Sequence, residues 1–98
     1  MKKVYIVCKA YEIYGEIYDI RNDIEVYSKL ELAREKYNEC LKDKYSLVDY
    51  TEQTLKPYEI EDGIIARARG EMSPDYKGDG LGYDMELTLS CKEVKEEK

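Results

Sequence analysis

One segment of the chain matches part of the EF-hand calcium loop, in which carboxylates wrap around a single ion. The matching residues are Asp75, Asp79, Gly80 and Glu86. Lys77 occupies a position where a ligand is expected, and the flanking segments have the pattern of strands rather than helices. We therefore interpret Asp75–Glu86 as an acidic hairpin loop, and we predict no metal site and no cofactor. Weak cation binding by this loop is the alternative.

Arg67 and Arg69 form a second candidate site, because they project from the same side of a strand-like segment. Two guanidinium groups so placed could grip a phosphate or a carboxylate, while tyrosine rings stack on a base. The protein would then sequester a nucleotide or signalling molecule. The interpretation that we favour for these two residues is cross-strand pairing with Glu86 or Glu71.

The most extensive candidate surface combines carboxylates with tyrosines. All 11 aromatic residues of the chain are tyrosine, and many stand beside an acid, as in Tyr11-Glu12 and Tyr83-Asp84. Such a surface could fill a basic groove of a partner, because tyrosine supplies contact area and carboxylates complement Arg and Lys. The alternative is a solvated charged surface, and both interpretations stay open. The predicted partner-binding residues are Glu16, Tyr18, Asp19, Tyr58, Glu59 and Glu61.

The elements that must position these residues begin with two strands. Alternating side chains over Lys3–Tyr11 predict the first strand. A turn near Gly15 leads into a second extended stretch, Glu16–Tyr27, and the polar cluster Arg21-Asn22-Asp23 is expected to interrupt it as a bulge or a turn.

A helix follows, and its start resembles a capping box. In Ser28-Lys29-Leu30-Glu31, the serine and glutamate side chains are expected to satisfy the first backbone N–H groups. Apolar residues at helical spacing then predict an amphipathic helix of about 17 residues. Its apolar face comprises Leu30, Ala33, Tyr37, Cys40, Leu41 and Tyr45.

The second half of the chain predicts a long antiparallel hairpin. Gly63–Met72 is expected to place Ile64 on the side of Ala66, Ala68 and Met72, and Ile65 on the side of Arg67, Arg69 and Glu71. Met85–Val94 is expected to pair with it, with Met85, Leu87, Leu89 and Cys91 directed inward. Leu47–Leu55 suits either a short strand or an irregular crossing.

The expected fold class is therefore α+β. Residues 1–94 should form a single small domain in the order β-β-α-β-β, with an antiparallel sheet and the helix packed on one face. Residues 95–98 should form a charged, frayed tail.

Composition excludes several classes of function. The chain has no histidine, so the commonest acid–base residue is missing, and we predict that the protein is not an enzyme. Its net charge of −6 disfavours direct contact with nucleic acid. The three dispersed cysteines argue against disulfides or zinc, and Cys8 and Cys91 are expected as small core residues. Without a long apolar stretch, no membrane span is expected and the expected location is cytoplasmic.

The first half of the chain resembles small accessory proteins of phages and mobile elements. The resemblance is carried by the opening Lys2-Lys3-Val4-Tyr5-Ile6-Val7 and by Val26-Tyr27-Ser28 leading into the helix. In size, acidity and absence of catalytic residues the chain is also similar to anti-CRISPR and other anti-defence proteins. The resemblance implies an inhibitor that occupies a basic, nucleic-acid-binding surface of a host defence protein. A domain that self-assembles through an uncovered sheet face is a further alternative.

Overall fold

The computed structural model describes residues 2–15, 19–42, 46–52, 63–72 and 82–95. The described residues form β1 (Lys3–Tyr14), β2 (Asp19–Tyr27), α1 (Leu30–Leu41), β3 (Ser46–Glu52), β4 (Gly63–Met72) and β5 (Gly82–Glu93). The strands make one antiparallel sheet in the order β2-β1-β5-β4-β3. This confirms the antiparallel sheet with one helix in the described part of the chain. The sheet has one strand more than expected, because the ambiguous segment after the helix forms the edge strand β3, and the domain is mainly sheet.

The core lies between α1 and one face of the sheet. The central strand β5 contributes its predicted inward row, in which no side chain is more than 3% exposed: Met85, Leu87, Leu89 and Cys91. The helix contributes four buried residues of its predicted apolar face: Leu30, Ala33, Tyr37 and Cys40. Periodicity therefore identified the buried side of both elements correctly, while Tyr45 lies outside the described residues.

Strand β1 buries the face that carries Tyr5 and Tyr11. Tyr5 and Val7 belong to the core under the helix, whereas Cys8 is half-buried on the opposite face. The expectation that Cys8 is a core residue is wrong, and the same expectation for Cys91 is confirmed. Both faces of β1 are apolar enough to be buried, so alternation alone could not identify the face that the helix covers.

A β-bulge in β4 changes the direction of two isoleucines. The register with β5 shifts between Ile64 and Ala66, so that one additional residue is inserted. Ile65 is consequently buried beside Ala66, while Ile64 is 50% exposed on the other face. The predicted sides of Ile64 and Ile65 are therefore wrong. Beyond the bulge, Arg67 and Arg69 point away from the core as expected.

Two local predictions around the helix are also wrong. The helix is 12 residues long, begins after Lys29 and has no side-chain capping hydrogen bond, so the Ser28 capping box does not form. Strand β2 runs through Arg21-Asn22-Asp23 without a bulge and pairs residue by residue with β1. These three side chains are exposed at the edge of the sheet, where water solvates them, so their polarity does not interrupt the strand.

Ion pairs tie the helix to both edges of the sheet. Arg34 of α1 pairs with Glu52 of β3, and the Nζ of Lys36 lies 3.8 Å from the Oε2 of Glu25 in β2. In addition, α1 packs against the strands β1, β5 and β2. The helix is thus held across one face, and no other described element packs on the opposite face of the sheet.

Candidate functional site

The face of the sheet opposite α1, called here the uncovered face, changes in character from one end to the other. Directly paired residues of antiparallel strands project from the same side, so the strand register defines cross-strand rows on this face. From one end to the other the rows are Val26–Ile6–Ser90–Ile64, Ile24–Cys8–Thr88–Arg67–Thr51, Asn22–Ala10–Glu86–Arg69–Asp49 and Ile20–Glu12–Asp84–Glu71. The first row is largely apolar, the two middle rows mix apolar, polar and charged side chains, and the last row contains three carboxylates.

The apolar end of the uncovered face exposes large aliphatic side chains. Ile24 and Val26 of the edge strand are each 60% exposed, and Ile64 is 50% exposed. Ile6 and Cys8 lie beside Val26 and Ile24 and are half-buried, and Ser90 lies between Ile6 and Ile64. Adjacent exposed apolar side chains of this kind mark interaction sites on soluble proteins more often than isolated ones do.

The anionic end places three carboxylates side by side on adjacent strands. Glu12 of β1 pairs with Asp84 of β5, which pairs with Glu71 of β4. Like charges directly opposite each other destabilise a sheet. Their field also reaches Tyr14, whose pKa is raised first by burial and then by the negative charges of Asp84, Glu71 and Glu12. This row therefore costs the isolated domain some stability.

A cavity of about 260 Å³ opens over the anionic end. Its charged lining consists of four carboxylates and one guanidinium, which gives a net charge of −3: Glu12, Glu71, Asp84, Glu86 and Arg69. Ile20 and Val48 provide apolar walls on the two outer strands. The cavity thus combines apolar lining residues with a cluster of acceptors for a cationic group.

The two predicted arginines lie on the uncovered face among acids. The Nε of Arg67 is 3.3 Å from the Oε1 of Glu86, which confirms the predicted cross-strand pairing. Arg69 pairs in register with Glu86 on one side and with Asp49 on the other. An anionic ligand approaching either guanidinium would meet these carboxylates, so this arrangement disfavours phosphate binding.

Of the six predicted partner-binding residues, the structure describes only Asp19. Asp19 begins β2 on the helix side of the sheet, where its Oδ1 accepts a hydrogen bond from the backbone N–H of Ile20 (2.9 Å). Its Oδ2 accepts a hydrogen bond from the Nε of Arg21 (3.1 Å). Asp19 is thus not part of the uncovered face. Five further residues lie outside the described part of the chain: Glu16, Tyr18, Tyr58, Glu59 and Glu61.

Of the four residues that match the calcium loop, the structure describes only the last, Glu86. Glu86 lies on the uncovered face, paired with Arg67, and the other matching residues are outside the described ones. Within the described ranges, no group of three or more Cys, Asp or Glu residues is arranged to hold a metal ion.

The carboxylate row of Glu12, Asp84 and Glu71 was not selected from the sequence. Each residue stands in an acidic stretch, but Glu12 is separated from Glu71 and Asp84 by more than half of the length of the chain. Alternation indicates the outward side for Glu71 and Asp84, but it could not do so for Glu12, because both faces of β1 are apolar enough to be buried. Only the strand register brings them into one row.

Comparisons with protein-family models, with characterised proteins and with solved structures give no significant match. Within the described residues, no helix combines the length and hydrophobicity that crossing a membrane requires. The fold and the uncovered face define the class by themselves: a small, mainly sheet domain with one helix on one face and an apolar-to-anionic surface on the other.

Proposed function

We propose that the protein is a non-enzymatic binding module that docks the uncovered face of its sheet onto a basic, partly apolar surface of another protein. The observation that supports this proposal is that Ile24, Val26 and Ile64 are exposed at one end of a face whose other end carries a row of adjacent carboxylates. Either feature alone is common on protein surfaces. Their combination supplies both a hydrophobic contact and a charge pattern for a partner.

The apolar end would supply most of the binding free energy. Ile24, Val26 and Ile64 each expose half or more of their surface. Burying the remainder contributes roughly 1 kcal/mol for each side chain. The anionic end would contribute mainly to the rate and orientation of association, because exposed charges steer encounter and are screened by salt.

The cavity at the anionic end is suited to a single Lys or Arg side chain of the partner. At about 260 Å³, it is below the usual size of sites for drug-sized molecules. Ile20 and Val48 would pack against the aliphatic stem, and Glu12, Glu71 and Asp84 would accept hydrogen bonds from the charged head. A basic side chain inserted there would also relieve the repulsion within the carboxylate row.

The resemblance to anti-CRISPR and other anti-defence proteins extends this proposal to a class of partner. A nucleic-acid-binding effector presents a basic surface whose natural occupant is a phosphate backbone. The uncovered face would occupy that surface and block it by charge and by volume. The sequestering of a nucleotide by Arg67 and Arg69 is the weaker proposal, since both guanidiniums stand among carboxylates.

The test compares capture of proteins by two variants with the same change of charge. In the first variant, Glu12→Gln, Glu71→Gln and Asp84→Asn neutralise the anionic row. In the control variant, the exposed helix residues Glu31, Glu35 and Glu39 are each changed to Gln. The immobilised wild type and both variants are exposed to cell lysate at low and high salt, and each retained protein is purified and its Kd measured with all three.

We expect a basic protein that binds the wild type and the helix variant alike, and that binds the row variant at least about tenfold more weakly. Weakening at high salt should accompany this binding. Equal loss in both variants would reduce the interaction to unspecific charge attraction. Unchanged binding by the row variant would show that the uncovered face is not the binding surface.

A further inference from the structure

The two edges of the sheet differ in how well they are protected against pairing with another strand. The edge strand β3 is seven residues long and its pairing with β4 shifts between Leu47 and Asp49. The edge strand β2 is nine residues long and pairs with β1 without any shift. Bulges and short lengths blunt an edge, whereas a long regular edge is a template for a further strand.

Strand β2 presents two different rows of side chains to an incoming strand. On the uncovered face, Ile20 and Ile24 are 58% and 60% exposed. On the helix side, the exposed residues Arg21 and Asp23 carry opposite charges. No described strand pairs with the outer side of β2, so its outward backbone N–H and C=O groups are available there, apart from the N–H of Ile20, which donates to the Oδ1 of Asp19.

We propose that the β2 strands of two copies of this chain pair antiparallel about a two-fold axis at Asn22. The two five-stranded sheets then become one continuous sheet with both helices on the same side. In this register Ile20 of each copy lies opposite Ile24 of the other, and Arg21 lies opposite Asp23. Each contact therefore occurs twice, once on each side of the axis.

This register is favoured over its neighbours by the residues that it sets on the axis and next to it. Centring the axis on Asp23 would pair Arg21 with Glu25 and Ile20 with Val26, but it sets the two Asp23 carboxylates directly against each other on the axis and pairs Ile24 with Asn22. A centre at Arg21 opposes two guanidiniums in the same way. A centre at Ile24 sets Asp23 against Glu25. Only the centre at Asn22 combines two contacts between isoleucines with two pairs of opposite charge and leaves no charged residue facing its own copy on the axis.

Each end of the paired segment carries one unfavourable contact, two in all, which existing interactions reduce. Asp19 of each copy lies opposite Glu25 of the other in this register. The Oδ2 of Asp19 is already 3.1 Å from the guanidinium of Arg21, and the Oε2 of Glu25 is 3.8 Å from the Nζ of Lys36. These two ion pairs reduce the repulsion between the carboxylates.

The dimer does not depend on the proposed function. Pairing through the outer edge of β2 leaves the central rows of both uncovered faces open, and it places the two faces on the same side of the joined sheet. A dimer could therefore form whether or not the faces bind a partner.

The first experiment exchanges the charges that select the register. The mass of the full chain is measured by sedimentation from about 10 µM to about 1 mM, the range in which weak pairs associate. Arg21→Asp and Asp23→Arg should each weaken the wild-type dimer by about tenfold, because like charges become opposed. An equimolar mixture of these two variants should dimerise better than either alone, since residues 21 and 23 are then of opposite charge in both of their cross-strand pairs. The double exchange Arg21→Asp/Asp23→Arg should restore the dimer.

A second variant tests the axis without altering any charge. The two-fold axis places the Asn22 residues of the two copies opposite each other, at a Cα separation of about 4.5–5.5 Å, which a disulfide can span. Under mild oxidation Asn22→Cys should form a covalent dimer, and Val26→Cys should form no more than the wild type does. A monomer up to about 1 mM, a mixture no better than its components, or equal crosslinking by both cysteine variants would overturn the proposal.

Discussion

The ring of Tyr14 lies directly over Gly82 on the uncovered face of the sheet. The two residues are paired across β1 and β5, and a Cβ atom placed on Gly82 would collide with the ring and hydroxyl of Tyr14. Gly82 is buried under this ring. Position 82 therefore requires glycine, because the ring of Tyr14 occupies the space that a side chain at this position would need.

This contact predicts that Gly82→Ala destabilises the protein by about 1–3 kcal/mol, because the added methyl group forces the ring of Tyr14 out of its place. The free energy of unfolding, measured by urea titration, should show the loss. The same substitution in a Tyr14→Ala background should cost much less, since the methyl group then has room. An equal cost in both backgrounds would mean that Tyr14 does not restrict this position.

Removing the buried hydroxyl group of Tyr37 is predicted not to destabilise the protein. Tyr37 is 2% exposed, and its hydroxyl group has no hydrogen-bond partner among the described residues. Burial, followed by the charges of Tyr50 and Glu52, raises its pKa. Tyr37→Phe removes the unpaired group and keeps the ring, so the free energy of unfolding should stay the same or rise by up to about 1 kcal/mol. Urea titration of the variant measures this change.

The control for Tyr37→Phe is Tyr27→Phe. The hydroxyl of Tyr27 donates a hydrogen bond to the Oε2 of Glu25 (2.5 Å), so its removal should lower stability. A clear loss of stability in Tyr37→Phe as well would indicate that its hydroxyl has a partner.

Stability should fall between pH 10 and pH 12. The hydrogen bond to Glu25, followed by burial, raises the pKa of Tyr27 from 10.0 to about 12. At lower pH the phenol is protonated in both states, so its contribution to stability is complete. As the pH rises through this window the unfolded chain loses the proton first, and the contribution is lost. Urea titrations over this range should show a shallower fall for Tyr27→Phe, and an identical pH dependence would contradict the assignment.

The carboxylate row predicts a conflict between stability and binding. Asp84 lies between Glu12 and Glu71, so Asp84→Asn should raise the free energy of unfolding by about 0.2–1 kcal/mol through loss of repulsion. The same change should weaken binding of a basic partner. Thermal and urea unfolding measure the first effect, and a binding titration measures the second.

A matched variant on the same strand is Glu86→Gln. Glu86 is paired with Arg67, so its neutralisation should not stabilise the protein. Should Asp84→Asn prove no more stable than Glu86→Gln, the row would not be under electrostatic strain.

The elements that depend on local periodicity were predictable from the sequence. The bounds of β4, the inward row of β5 and the buried side of α1 all follow from side chains at a period of two or of 3.6 residues. Short sequence motifs predicted the ends of helices and strands less well. The capping box at Ser28 does not form, because a motif of four residues does not determine where the tertiary contacts of a helix begin.

What the sequence determined by itself is therefore the set of strands that can pair, the amphipathic helix and an acidic surface that contains tyrosine as its only aromatic residue. The tertiary structure alone decided which face of β1 the helix covers, where the bulge at Ile65 falls and which acids meet. Glu12, Glu71 and Asp84 become neighbours only through the register of three strands. Register depends on the simultaneous packing of distant segments, and a one-residue shift would move every side chain of a strand to the other face.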